Sequence, residues 1–168
     1  SMVLKRGLAC VGALVGMWSA GLGAEEVGVL GPEGWAYETI FKQAGVPAIG
    51  IRLGDDLAGR KIIVVTPNAV RDGRASFAEH ADRLKQYVQA GGFLLVLHQN
   101  DKGWDDRWLP YSCRNSNGAG QIEKIVQKDH PIFEGFEEGD LGSPGISAHD
   151  TFTDVAAEWK ALCTDPYP

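Results

Sequence analysis

Apolar positions along this chain come in two rhythms. Val27 to Leu30 is a short apolar run closed by Gly31 and Pro32, and beyond Trp35 apolar residues return at Ala36, Ile40, Phe41 and Ala44, the three-to-four spacing of a helix. Gly45 stops that helix and Pro47 restarts an extended segment, so Ala48 to Leu53 reads as a second strand. Between Lys61 and Thr66 stand Ile62, Ile63, Val64 and Val65 in succession. An unbroken β-branched run of this kind fits a strand covered on both faces, as in a parallel sheet between helix layers. Ser76 and Glu79 then make a capping box, and Phe77, Ala81, Leu84 and Val88 form one apolar stripe ending at Gly91 and Gly92. Phe93 to Leu97 reads as another buried strand. This alternation predicts an α/β fold: a three-layer, flavodoxin-like or Rossmann-like parallel sheet with helices on both faces and right-handed crossovers.

The rhythm fades afterwards. Gln99 to Gly120 is polar, contains glycine and tryptophan, and reads as a long loop or an insertion. Ile122 to Gln127 fits a strand or a helix, Glu134 to Ser147 is mostly turn, and Phe152 to Val155 is a late strand.

The N-terminus does not belong to this pattern. Lys5 and Arg6 precede an apolar stretch from Leu8 to Trp18, small residues follow from Ser19 to Ala24, and then come Glu25 and Glu26. That order is the layout of a secretory signal peptide, with cleavage expected after Ala24. A spanning helix is the competing reading, but crossing a bilayer takes about 20 apolar residues, and this run is shorter and rich in glycine. Residues 25–168 are then expected to form one exported domain, periplasmic or extracellular, with no membrane span left after leader removal.

Composition narrows the function classes. Apolar residues make up 44% and charged residues 23% of the 168-residue chain, which is ordinary for a globular domain. The net charge of −6 without a basic stripe argues against a nucleic-acid surface. In an exported protein Cys113 and Cys163 can pair or stay free, since pairing depends on a distance the sequence does not contain.

Two segments carry a family resemblance. Leu84 to His98, LKQYVQAGGFLLVLH, together with Asp129 to Phe136, DHPIFEGF, resembles the class I glutamine-amidotransferase-like superfamily, most closely its ThuA-like branch. Trp108-Leu109-Pro110, with His130-Pro131, Gly135 and Asp140-Leu141 further on, resembles the related domains of large secreted glycoside hydrolases. The resemblance runs from about Val27 to Leu162. It implies a flavodoxin-like sheet and, in active amidotransferases, a Cys nucleophile on the turn after the central strand. Here that turn holds His98, Gln99 and Asn100, so glutaminase chemistry lacks its thiolate. The family's link to sugar metabolism implies a carbohydrate ligand. Its members often continue into further strands, which would make this chain a fragment or a short relative.

In open α/β sheets ligands sit beyond the carboxyl ends of the strands. The expected ligand-binding residues are therefore His98, Gln99 and Asn100, beside the turns after Leu30 and at Thr66-Pro67-Asn68, with Trp104 and Trp108 as aromatic faces for a sugar. The bland alternatives are a hydrogen-bonded His98 and indoles that pack the loop onto the core. His98, Asp101, His149 and Asp150 are the weak catalytic candidates, with Asp105 and Asp106 as further carboxylates. No HExxH, CxxC or EF-hand register occurs, so neither a metal nor a cofactor is expected. Gly28, Gly31 and Gly34 do not have phosphate-loop spacing, and Glu33 beside them would repel an anion. Two functions from different classes remain. One is a non-catalytic exported domain that binds a carbohydrate or a partner protein, and the other is a hydrolase or isomerase acting on a sugar-type substrate through His98 and nearby Asp residues.

Overall fold

The computed structural model describes residues 27–100, 102–120, 124–141 and 148–164. The expected leader, with Cys10, lies outside the described residues, as does Asp101. The chain separates into two compact units with the boundary between Pro110 and Tyr111.

In the first unit the aliphatic runs form β1 (Val27–Leu30), β2 (Ala48–Ile51), β3 (Ile62–Val65) and β4 (Phe93–Val96). They make one all-parallel sheet in the order β2-β1-β3-β4. Its register is continuous: Val27 lies beside Ala48 and Ile62, and Ile62 beside Phe93. This is an α/β, flavodoxin-like sheet. Side chains alternate along a strand, so Val27, Val29 and Val64 share one face. Val27 and Val64 cluster there with Val46, Phe41 and Ala44, the last two brought by α1 (Gly34–Gln43) and its C-cap. Fully burying each such aliphatic side chain contributes roughly 1.5–3 kcal/mol, which accounts for the hold of the two central strands.

β3 is buried as its sequence predicts, with β1 and β4 on either side. β4 is not: Phe93 is exposed and the rest of the strand is half-buried. Among the described strands β4 pairs only with β3, so its outer side lacks the neighbour that a central strand has.

The segment expected as one capped helix is built differently. It forms α2 (Ala69–Asp72), α3 (Arg74–Glu79) and α4 (Ala81–Gln89). Ser76 lies inside α3, whose N-cap is Gly73 with no side-chain cap. The Ser76 carbonyl accepts from the His80 backbone N–H at 3.0 Å and from His80 Nδ1 at 2.9 Å. His80 thus closes α3, and the proposed capping box does not form. The apolar stripe survives the break, because Phe77 and Leu84 are buried on either side of it, and Tyr87 joins them. Tyr87 lies over Gly92, where an added Cβ would fall 2.3 Å from the ring. That close approach explains a glycine at the entry to β4.

The second unit contains β5 (Arg114–Gly120), β6 (Lys124–Ile125), a 3-10 turn (Pro131–Phe133), α5 (Glu138–Leu141), β7 (Ala148–Thr153) and β8 (Cys163–Thr164). β5 pairs antiparallel with β7, and β6 with β8. The end of the expected loop is therefore a strand, although RNSNGAG shows no strand-like pattern. His130 caps the 3-10 turn, its Nδ1 accepting from the Ile132 N–H at 3.3 Å. Cys113 stands just before β5 and Cys163 lies on β8, and no disulfide joins them. No helix among the described residues is long and apolar enough to cross a membrane.

Candidate functional site at the strand ends

With β2 on one side of β1 and β3 on the other, the chain reverses its winding between β1 and β3. In doubly wound sheets the carboxyl ends of such a strand pair flank the ligand crevice. Three short segments meet there: the turn after Leu30, Thr66-Pro67-Asn68, and His98 to Asn100.

The first two are locked together. The Thr66 N–H donates to Leu30 O at 2.9 Å, and the Thr66 hydroxyl donates to Pro32 O at 2.8 Å. Gly31, at φ 125°, passes so close that a Cβ would fall 2.3 Å from Thr66 Oγ1 and 2.6 Å from the Ala69 methyl. Only glycine suits both that backbone angle and that contact. Helices α1 and α2 then start from Glu33 (φ 58°) and Asn68 (φ 60°), both left-handed and neither forming a side-chain cap. Asparagine tolerates this conformation better than most residues. The Asn68 side-chain oxygen is buried and accepts no hydrogen bond among the described residues.

The third segment is tied to the second. The Asn68 N–H donates to His98 O at 3.0 Å. The Gln99 carboxamide donates to Thr66 O at 2.9 Å and to Leu97 O at 2.7 Å, and accepts from the Val70 N–H at 3.1 Å. Gln99 is buried, so its side chain braces the frame, whereas the neighbouring His98 is exposed at the end of β4. Among the described residues no side chain is hydrogen-bonded to the His98 ring. Asn100 accepts from the Lys102 N–H at 2.9 Å and so turns the chain into the following loop.

That loop packs against α2 and α3. Trp108 is 1% exposed, edge-on to Phe77 at 5.0 Å, and its indole N–H has no acceptor among the described residues. Trp104 is half-buried, 6.2 Å from Trp108. Asp105 is buried and holds Arg107 through both carboxylate oxygens, at 2.9 and 3.0 Å from Nε. Trp108 and Asp105 therefore serve the packing of the loop, and Trp104 is the more accessible indole.

Neither protein-family models, nor curated proteins, nor solved structures match this chain.

The structure thus brings His98, Gln99 and Asn100 together with Thr66 and Asn68, and places Trp104 and Trp108 on the loop that follows. His149 and Asp150 lie in the second unit on β7, with Asp150 opposite Asn117 of β5. No group of three or more His, Cys, Asp or Glu side chains suited to a metal is found among the described residues. Two features escaped sequence reasoning. The left-handed Asn68 had a local signal in Pro67-Asn68, a turn-forming pair. The bracing role of Gln99 had none, because its partners lie up to 33 residues away.

Proposed function

We propose that this chain is an exported, non-catalytic binding domain of the glutamine-amidotransferase-like kind, with its ligand received at the strand ends around His98. One observation carries the reading: an exposed imidazole stands on a backbone fixed from both sides, by Asn68 through the His98 carbonyl and by the buried Gln99 next to it. A recognition group on a frame braced in advance loses little freedom on binding. The turn that would carry a thiolate in an amidotransferase carries this imidazole instead. The resemblance of LKQYVQAGGFLLVLH and DHPIFEGF to the ThuA-like branch supports a carbohydrate as the ligand, with a partner protein as the other choice. The charged, apolar and small-residue order of residues 1–24 supports export, and recovery of protein beginning near Glu25 outside the cytoplasm tests it.

Replacing His98 with Ala tests the site. The variant is expected to keep the unfolding midpoint of the parent while losing binding to a panel of soluble oligosaccharides. A large drop in stability with binding unchanged would make His98 a structural group. Turnover of a sugar-type substrate by the parent, lost in this variant, would favour the hydrolase or isomerase reading. Glutamine hydrolysis abolished by Cys113→Ser would overturn both.

A further inference from the structure

Three amide side chains stand at the strand ends, and two of them are engaged by the protein itself. Gln99 braces the frame, and Asn100 accepts from the Lys102 N–H at 2.9 Å. Asn68 is the third. It occupies the N-cap position of α2, where an Asn side chain ordinarily accepts from the N–H of the second or third helical residue. Here the N–H of the second residue, Val70, is taken at 3.1 Å by Gln99 Oε1. An N-cap residue that binds in the ordinary way has extended backbone, whereas Asn68 sits at φ 60° and ψ 8° and forms no side-chain cap. Its side-chain oxygen is left buried, without a donor among the described residues.

The turn itself gives no reason for this side chain. Glycine enters the left-handed region freely, and asparagine only tolerates it. On the adjoining turn Gly31 fills such a position. Asparagine at position 68 strains the backbone and leaves a buried polar atom unpaired, so it is doubly unfavourable if only the turn matters. Its backbone N–H donates to His98 O at 3.0 Å, so the carboxamide springs from backbone adjoining that of the exposed imidazole.

We infer that Asn68 is a ligand-binding residue of this site, its carboxamide taking two neighbouring hydroxyls of a sugar ring; the inference rests on the carbohydrate reading given above. A carboxamide sets an acceptor oxygen beside two N–H donors. A hydroxyl both donates and accepts, so a pair on adjacent carbons meets both halves of the amide at once. The last torsion of an Asn side chain is soft, and no hydrogen bond holds the oxygen inward. Turning it towards an arriving hydroxyl breaks no bond that this oxygen had made. The contact addresses a feature that most sugar rings share, so Asn68 supplies affinity and leaves discrimination to other groups.

Titration calorimetry of the full chain with the panel of soluble oligosaccharides, run beside thermal unfolding, tests the inference on Asn68→Gly and His98→Ala. Asn68→Gly should keep the parent's unfolding midpoint or exceed it, because glycine suits φ 60°. It should bind every oligosaccharide that the parent takes about tenfold more weakly or worse, the effect of losing two hydrogen bonds. Asn68→Asp keeps the shape and loses the N–H donors at neutral pH, and it should be impaired as well. Undiminished binding by Asn68→Gly, with binding lost in His98→Ala, overturns the inference and leaves the site standing. A midpoint well below the parent's overturns it too, because the side chain would then serve the fold. Binding indifferent to both changes, or absent in the parent, removes the His98 reading and this inference with it.

Discussion

Gln99 holds Thr66 from the end of the neighbouring strand: its side-chain N–H donates to the Thr66 carbonyl at 2.9 Å, while its oxygen takes the Val70 N–H at 3.1 Å. One buried amide thereby satisfies backbone groups at the end of β3 and the start of α2. Replacement by leucine keeps much of the volume but leaves those groups unpaired, and each buried unsatisfied group costs roughly 1–3 kcal/mol. Urea unfolding of Gln99→Leu should show a loss in that range or above it. Gln99→Glu should fare no better at neutral pH, because an ionised carboxylate cannot donate to Thr66 O or Leu97 O. A loss below about 0.5 kcal/mol, within the ordinary range for surface changes, would show that the brace is dispensable.

Tyr87 makes stability depend on alkaline pH. Burial pushes its hydroxyl up to about 12, whereas an unfolded tyrosine ionises near pH 10. The folded state therefore keeps a proton that the unfolded state releases. The stabilisation is complete below about pH 10 and is lost as the pH rises towards about 12, with a slope of at most about 1.4 kcal/mol per pH unit. Unfolding midpoints of the parent and of Tyr87→Phe, measured over this window, should converge as the pH rises. Parallel curves would mean that the ring is hydrated in solution.

The two thiols of the second unit should differ in reactivity. Cys113 is buried, and Cys163 is partly buried with its pKa raised by burial. A buried thiol yields less thiolate and reacts slowly. In the native protein, alkylation of Cys163 should be slow at neutral pH and accelerate above the usual thiol range, and Cys113 should react only after unfolding. A peptide linking Cys113 to Cys163 in a non-reducing digest would contradict the absence of a disulfide between them.

Where burial decides the conformation, the fold could be read in advance. The four-residue run Ile62–Val65 is a strand because water is excluded from both its faces, and its composition says so. Arg114–Gly120 is a strand for another reason, its pairing with β7. A pairing partner leaves no mark on RNSNGAG itself, since strand preference depends mostly on context. Ser76 and Glu79 have the spacing of a cap, yet the helix had already begun at Arg74. At the candidate site, the exposure of His98 followed from its place just beyond a strand. The division of labour between His98 and Gln99 did not, because it depends on contacts with a turn some thirty residues earlier.

The connections at the winding reversal are short. β1 ends at Leu30 and α1 begins at Gly34, while β3 ends at Val65 and α2 begins at Ala69. Three residues suffice for each because Glu33 and Asn68 swing the backbone straight from strand to helix. Chain that turns so tightly has no length left over for a rim, so beside β1 and β3 any wall around a ligand must come from the longer loop that begins at Asn100. Whatever distinguishes one molecule from another is then written into that single loop, and exchanging it would alter the preference while leaving both tight turns as they are.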